Sequence, residues 1–377
     1  MTRSWDVFCA VVDNFGDVGV TWRLARQLVE EQGQRVRLWI DDLSAFARLC
    51  PEADAGLARQ TLHGVEVCRW AQPWTDTDPA DVVIEAFACR LPEAYERAMA
   101  QRPRPSLWLN LEYLSAEDWV SDCHGLPSPQ ANGLFKYFFF PGFTAGTGGL
   151  LRERGLLERR RAFQGDGEAR RTFLRGLGIE PRPEELLISL FSYEQPALEA
   201  WLEPLANGTR PVRLLVPEGR LLPDLARWLG AGALRAGDHH ERGQLRVHIL
   251  PFVSQPDFDR LLWCCDLNGV RGEDSFVRAQ WAARPLLWHI YPQEDQAHLD
   301  KLDAFLARYC VDLDLELAQA LRSVWRAWCL GEAPGHAWTL LLGHLPALRE
   351  HAARWCAQLA AQEDLASQLC GFVANRT

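Results

Sequence analysis

The sequence has 377 residues, 48% hydrophobic and 24% charged, with a formal net charge of −10. That length suits two domains rather than one ordinary core, and the acidic balance argues against nucleic-acid binding through phosphate neutralisation. No run approaches the ~18 apolar residues of a membrane span, and Asp6 and Asp13 interrupt the opening apolar stretch, unlike a secretory leader.

In chain order, Trp5 to Val12 reads as a strand, Asp13 to Gly19 as a turn and Val20 to about Glu31 as a helix with apolar Trp22, Leu24, Ala25, Leu28 and Val29. Val36 to Ile40 is a second strand, and Ser44 caps a short helix. Val65 to Trp70, Val82 to Phe87 and Leu107 to Leu111 follow as strands, with a helix from Pro92 to Ala100. Phe135 to Phe140 is a very apolar strand, and Gly146 to Gly149 a glycine-rich loop. The charged helical stretch from Leu150 to Gly178 is the expected linker, its arginines Arg159, Arg160 and Arg161 read as a solvated face.

The second half restarts the alternation. Strands are expected at Leu186–Phe191, Val212–Val216, Leu245–Leu250, Asp266–Val270 and Leu286–Ile290. Helices are expected at Pro196–Leu205, Leu221–Leu229, Pro256–Trp263, Asp274–Ala283 and Gln296–Ala307, then from Leu315 to Ala374 with breaks near Gly331 and Pro346. Short apolar runs alternating with amphipathic stretches build parallel sheets covered by helices on both faces. The fold class is therefore α/β: two doubly wound, Rossmann-like domains facing each other across a cleft, the GT-B arrangement, finished by C-terminal helices. The expected division is 1–160, 161–345 and a helical 346–377 packing back on the first domain.

The most informative stretch lies in the second half. A strand ends at Asn268-Gly269-Val270, and Arg271-Gly272-Glu273-Asp274-Ser275 opens a helix. A helix N-terminus offers unpaired N–H groups and a positive dipole end, so it holds a diphosphate without a metal. Gly272 permits close approach of the backbone, Ser275 supplies a cap or a hydroxyl, and Arg271 a charge-assisted contact. Glu294-Asp295-Gln296, at the next helix start, is placed to meet sugar or ribose hydroxyls. Phe191 and Tyr193 after one strand, and Phe252 and Gln255 after another, suit a base that is stacked and read at its edge. The competing reading is ordinary caps, turns and rim core residues.

In the first half, Asp13 and Asp17 flank Phe15-Gly16 in the turn after the first strand. Two carboxylates suit a cationic acceptor, because they bond a planar guanidinium and accept a proton. An Asx-turn with a helix cap accounts equally for an Asp-rich turn. The turn matches neither the dinucleotide fingerprint nor a phosphate-binding lysine loop. No metal is expected: His239-His240 lacks a third ligand at useful spacing, Asp312-Leu313-Asp314 lies in the helical C-terminal part, and the eleven cysteines form no C-x-x-C. They read as reduced thiols of a cytoplasmic protein.

Several blocks resemble the bacterial protein-arginine rhamnosyltransferases that modify translation elongation factor P. They are Trp5 to Ala25, Trp39-Ile40-Asp41-Asp42, Asn110-Leu111-Glu112-Tyr113-Leu114, Phe138 to Phe143 and Arg271 to Gln280. The resemblance covers essentially the whole chain. It implies dTDP-β-L-rhamnose as donor and transfer, with inversion, to an arginine on the N-terminal domain of elongation factor P, activating that factor against stalling at polyproline. It implies Asp17 as general base or orienting group, with Asp13 and Glu273 as further essential carboxylates. Donor contacts are implied at Phe15, Gly16, Phe191, Tyr193, Phe252, Gln255, Arg271, Gly272, Asp274 and Ser275. Without the resemblance, two alternatives stay open: a GT-B transferase or nucleotide-sugar epimerase acting on a small molecule, and a non-catalytic adaptor for elongation factor P.

Overall fold

The computed structural model describes residues 2–12 and 15–376. Asp13 lies outside the described residues. The chain divides into two compact units, residues 1–154 with 361–377, and residues 155–360. The sequence had placed the breaks at 160 and 345; the helix Leu345–Ala360 belongs to the second unit, and Leu365–Ala374 to the first.

Among the described residues the first unit holds an eight-stranded sheet: β1 (Ser4–Cys9), β2 (Arg35–Ile40), β3 (Arg59–Leu62), β4 (Val65–Arg69), β5 (Val82–Ala86), β6 (Leu107–Leu111), β7 (Pro127–Pro129) and β8 (Phe135–Phe139). The order is β3-β4-β2-β1-β5-β6-β8-β7, parallel except for the antiparallel edge pairs β3–β4 and β7–β8. β1 reads as a nearly continuous apolar run because both its faces are covered: Trp5, Val7 and Cys9 enter one core and Phe8 the other. Asp6, fully buried between them, is neutralised by two 2.6 Å contacts from Arg37 and accepts from Trp39 Nε1 at 3.1 Å.

The helix Gly16–Glu30 packs Val18, Trp22, Ala25 and Leu28 on this sheet, a spacing of four, three and three that makes one helical stripe. Leu365, Ala366, Leu369 and Val373 of the last helix join the same core. Each of its larger side chains contributes roughly 1.5–3 kcal/mol by leaving water. The approach depends on Gly149, at φ +69°, where a Cβ would meet the Glu363 carbonyl oxygen at 2.4 Å.

The second unit holds β9 (Leu186–Leu190), β10 (Val212–Pro217), β11 (His239–Arg242), β12 (Leu245–Leu250), β13 (Leu267–Arg271) and β14 (Leu286–His289), in the order β11-β12-β10-β9-β13-β14. Only β11 runs antiparallel to its neighbour among these described strands. His239-His240, read as loop, is thus an edge strand; two polar residues without apolar alternation carry no strand signal. Arg160 also departs from the solvated-face reading. It is buried and donates to the Trp281 carbonyl at 2.9 Å, while Arg159 and Arg161 are exposed.

In each sheet the strand order reverses at one strand, from which the chain builds outward first to one side and then to the other. β1 lies between β2 and β5, and β9 between β10 and β13. Such switch points leave a crevice at the carboxyl ends of the strands, where ligands bind in open α/β sheets.

Candidate active site

At the first switch point the chain leaves β1 and enters the helix at Gly16, four residues before the expected start at Val20. Asp17 consequently lies in the first helical turn, where the dipole favours a carboxylate. It is buried, and its Oδ2 accepts the Val12 N–H at 3.0 Å. The neighbouring Val11 N–H donates to Asp41 Oδ1 at 2.9 Å. The carboxylate thus ties Val12 to the helix, which goes beyond a cap. Phe15 holds the N-cap position, its ring 5.1 Å below the Arg48 guanidinium.

At the second switch point Arg271 ends β13, mostly buried. Its guanidinium lies 4.3 Å from the Phe191 ring centre and 4.8 Å from that of Tyr193, and contacts the Ser192 carbonyl at 3.5 Å. Two aromatic faces hold this cation in one pose, which a flexible exposed arginine lacks. Gly272, at φ +58°, makes the sharp turn that only glycine adopts without strain. Its carbonyl accepts Trp288 Nε1 at 2.7 Å. Glu273 occupies the N-cap position of the helix Asp274–Ala282. Ser275 Oγ accepts the Arg271 N–H at 3.0 Å and donates to the Arg271 carbonyl. The Ser275 hydroxyl thus closes the turn locally as well.

That helix is held rigidly from behind. Arg278 and Asp259, both buried, form a bidentate pair at 2.8 and 2.6 Å, joining it to the helix Gln255–Cys264. Phe276 stacks on Trp288 at 3.8 Å and 4°. Gln255 opens the former helix, buried, and Phe258 of the same helix meets Phe191 edge-on at 5.8 Å. Phe252 is half-buried on the approach to it. The structure therefore gathers Phe191, Tyr193, Arg271, Gly272, Asp274 and Ser275 at one strand-end cluster, with Gln255 on the helix that packs against Phe191.

Residues outside the sequence reading complete this cluster. His289, at the end of β14, lies 2.7 Å from Ser192 Oγ and edge-on to Tyr193. Burial, aided by the nearby Arg271 charge, pushes its pKa down to about 3. Arg220 lies 5.3 Å from the Tyr193 ring centre and donates to Glu194 at 2.8 Å. Burial would raise the Glu194 carboxyl, but that bond leaves it below its ordinary value. A polar residue closing the apolar run Leu286-Leu287-Trp288 was the available signal for His289; Arg220 gave none.

The second expected turn takes an unforeseen form. Asp295 and Gln296 are both left-handed, at φ 54° and 58°, and exposed, and the helix begins at Ala297. Neither metal candidate gains support from its placement: Asp314 caps the helix Leu315–Leu330, and His239 pairs edge-on with His248 at 4.0 Å. Among the described residues Cys50, Glu52 and His63 bring ligand atoms within 4.8 Å of one another, away from every expected site residue in sequence.

The model of the elongation-factor P (EF-P) rhamnosyltransferase EarP matches residues 5–374. The chain belongs to the EarP family. The protein-arginine rhamnosyltransferase of Pseudomonas putida is 60% identical over 375 residues, covering 100% of both chains. That of Pseudomonas aeruginosa is 60% identical over 372 residues, covering 99% of each. A solved structure concerned with EarP-mediated arginine glycosylation of translation elongation factor EF-P matches with TM-score 0.73 and 45% identity over 100% of both chains. The fold is shared more widely: a UDP-GlcNAc 2-epimerase from Neisseria meningitidis bound to UDP-GlcNAc has TM-score 0.53 at 9% identity, covering 99% of each chain. The expected GT-B fold, with two Rossmann-like domains, is what these likenesses support. Among the described residues, no helix is long and apolar enough to cross a membrane.

Proposed function

We infer that this EarP-family chain is a protein-arginine rhamnosyltransferase, an enzyme that transfers rhamnose to an arginine side chain of elongation factor P. The full-length match to that family carries the reading. It sets aside the epimerase and adaptor alternatives, whose only link is a fold shared at 9% identity or a partner without chemistry.

The finer reading is a proposal. The donor is dTDP-β-L-rhamnose and the enzyme works in the cytoplasm, where its substrates meet and where modified elongation factor P relieves stalling at polyproline. In the reaction the bond from the anomeric carbon to the β-phosphate oxygen breaks, and a guanidinium nitrogen bonds that carbon from the opposite face. The stereochemistry inverts, the nitrogen loses one proton, and dTDP departs with the bonding electrons.

Two physical problems follow. Arginine is protonated at any cellular pH, so its nitrogen is a poor nucleophile. A carboxylate beside it polarises the guanidinium and takes the proton as the C–N bond forms. Asp17 is proposed for the proton, with Asp13 holding the guanidinium and Glu273 as the third carboxylate. The departing diphosphate gains charge. N–H groups at the start of Asp274–Ala282, together with Arg271, are proposed to meet that charge, as preorganised donors that stabilise it without reorganisation. Phe191, Phe252 and Gln255 are proposed to seat the thymine, with Tyr193, Phe15 and Gly16 as further donor contacts. No metal is invoked for this charge.

Intact-mass and peptide analysis of elongation factor P, after incubation with this protein and dTDP-rhamnose, tests the reading. One deoxyhexose on one arginine is expected; no adduct, or one on another residue type, sinks it.

A further inference from the structure

The segment Asn110-Leu111-Glu112-Tyr113-Leu114 carries an aromatic and a carboxylate just past a strand end. It begins in β6, at the carboxyl end of the first sheet, and Tyr113 follows the strand by two residues. There its ring stacks on Phe87 with centroids 4.9 Å apart and planes 23° from parallel. Both rings are half-buried.

Phe87 reaches this position at a cost. Phe87 and Ala88 are consecutive left-handed residues, at φ 57° and 55°, and neither is glycine. Such conformations cost of order 1–3 kcal/mol each and persist only where the surroundings enforce them. Here the Phe87 N–H donates to the Leu111 carbonyl at 2.7 Å, and the Cys89 N–H to Ala86 at 3.1 Å. Cys89 Sγ contacts the Phe8 carbonyl of β1 at 3.3 Å. The turn is thereby tied to both neighbouring strands.

The location is specific. β5 pairs with β1, and β6 with β5. At about 4.8 Å per strand, the two rings follow strands within roughly 10 Å of β1, whose exit carries Asp17. The same segment carries a polar pair suited to a cation. Asn110, buried, donates its amide N–H to Glu112, and its Oδ1 has no hydrogen-bond donor among the described residues. A guanidinium offers five donors in one plane and stacks on aromatic faces.

We propose that Phe87 and Tyr113 form an aromatic platform that seats the guanidinium of the acceptor arginine for Asp17, with Glu112, held by the Asn110 amide, offering its carboxylate to the N–H groups. This rests on the reading of the chain as a protein-arginine rhamnosyltransferase. Phe87 and Tyr113 are substrate-positioning residues, and they favour arginine because a lysine ammonium lacks the planar face.

The test is steady-state transfer to elongation factor P with Tyr113→Leu, Phe87→Leu and Tyr113→Phe. For each leucine variant, KM for elongation factor P is expected to rise about tenfold, the loss of one desolvated cation–π contact. KM for dTDP-rhamnose should stay at the wild-type value, and Tyr113→Phe should restore the acceptor KM. An unchanged acceptor KM in a folded leucine variant overturns the platform. So does a joint loss of kcat and donor affinity, the mark of a merely structural role. Should Tyr113→Leu not fold, Phe87→Leu is read by the same criteria. If wild-type enzyme transfers nothing, the underlying reading falls as well; if it transfers and the variants do not shift, only the platform falls.

Discussion

The two switch points are built from opposite materials. Where β1 leaves the first sheet, the N–H groups of Val12 and Val11 turn toward the carboxylates of Asp17 and Asp41. Where β13 leaves the second, a guanidinium lies across Phe191 and Tyr193, and a helix N-terminus opens beside it. The first presents carboxylates and suits a cation; the second presents an aromatic-held guanidinium and a helix N-terminus and suits an anion. A transferase that must join a cationic acceptor to a donor leaving as an anion needs both. The support differs as well. The second turn is braced by the buried Arg278–Asp259 pair and the Phe276–Trp288 stack, while the first is tied by the contacts of Val12 with Asp17 and of Val11 with Asp41.

The largest effect should come from removing the acid side. Asp17→Asn keeps the shape and the Val12 contact but cannot take a proton. Its kcat is expected to fall about 10²–10⁴-fold, with dTDP binding by calorimetry unchanged. Near-normal turnover would mean that the first turn is not the catalytic one. Next comes the brace. Asp259→Ala removes the bidentate partner of Arg278 and should cost about 3–5 kcal/mol in denaturant unfolding; a loss under 1 kcal/mol would show that the second turn is not held from behind. Arg271→Lys keeps the charge but loses the planar stack. Its KM for dTDP-rhamnose should rise roughly 10–100-fold, corresponding to about 1.5–3 kcal/mol for a charged hydrogen bond, while the acceptor KM stays constant. Equal rises in both would blur the division between the turns.

How much of this was legible in the sequence depended on the kind of signal. Strands buried on both faces, such as Leu186-Leu187-Ile188-Ser189-Leu190, announced themselves by continuous apolar runs. The helix opening at Asp274 was visible from the Gly272 turn and the following amphipathic pattern. Edge strands β3, β7 and β11 went unread because they are short and half-exposed, and nothing in them alternates. Gly16 hid the true start of the first helix, since glycine argues for a turn although tertiary packing of Val18 and Trp22 overrides it. The burial of Arg160 was unreadable because its acceptors, Trp281 and Cys356, are 121 and 196 residues away. The same holds for Arg220 on Tyr193 and for Phe87 on Tyr113: stacking partners distant in sequence leave no local trace. Many of the tryptophans now have a place, since Trp5, Trp108, Trp201, Trp281, Trp325 and Trp328 are fully buried core residues.

The smallest predicted effect concerns pH, and it separates the turns by the charge each tolerates. Burial of His289 disfavours the charged ring, and the neighbouring Arg271 charge adds to this, so its pKa is pushed down to about 3. In the unfolded chain the ordinary value is about 6.5. Between these two values the unfolded state binds a proton that the native state refuses, so native stability rises with pH across the window. His289 therefore contributes its full stability above about pH 6.5 and loses it progressively as pH falls toward 3, with a slope of at most about 1.4 kcal/mol per pH unit. His289→Gln has no such proton to gain. Denaturant unfolding from pH 7 to pH 5 should give a shallower decline for this variant than for wild type, by about that slope at most. If the two profiles run parallel, His289 is not held neutral beside Arg271. If they diverge, mild acid should weaken the second unit while leaving the carboxylate-lined first turn, with no histidine in its contacts with Val11 and Val12, unaffected by this proton.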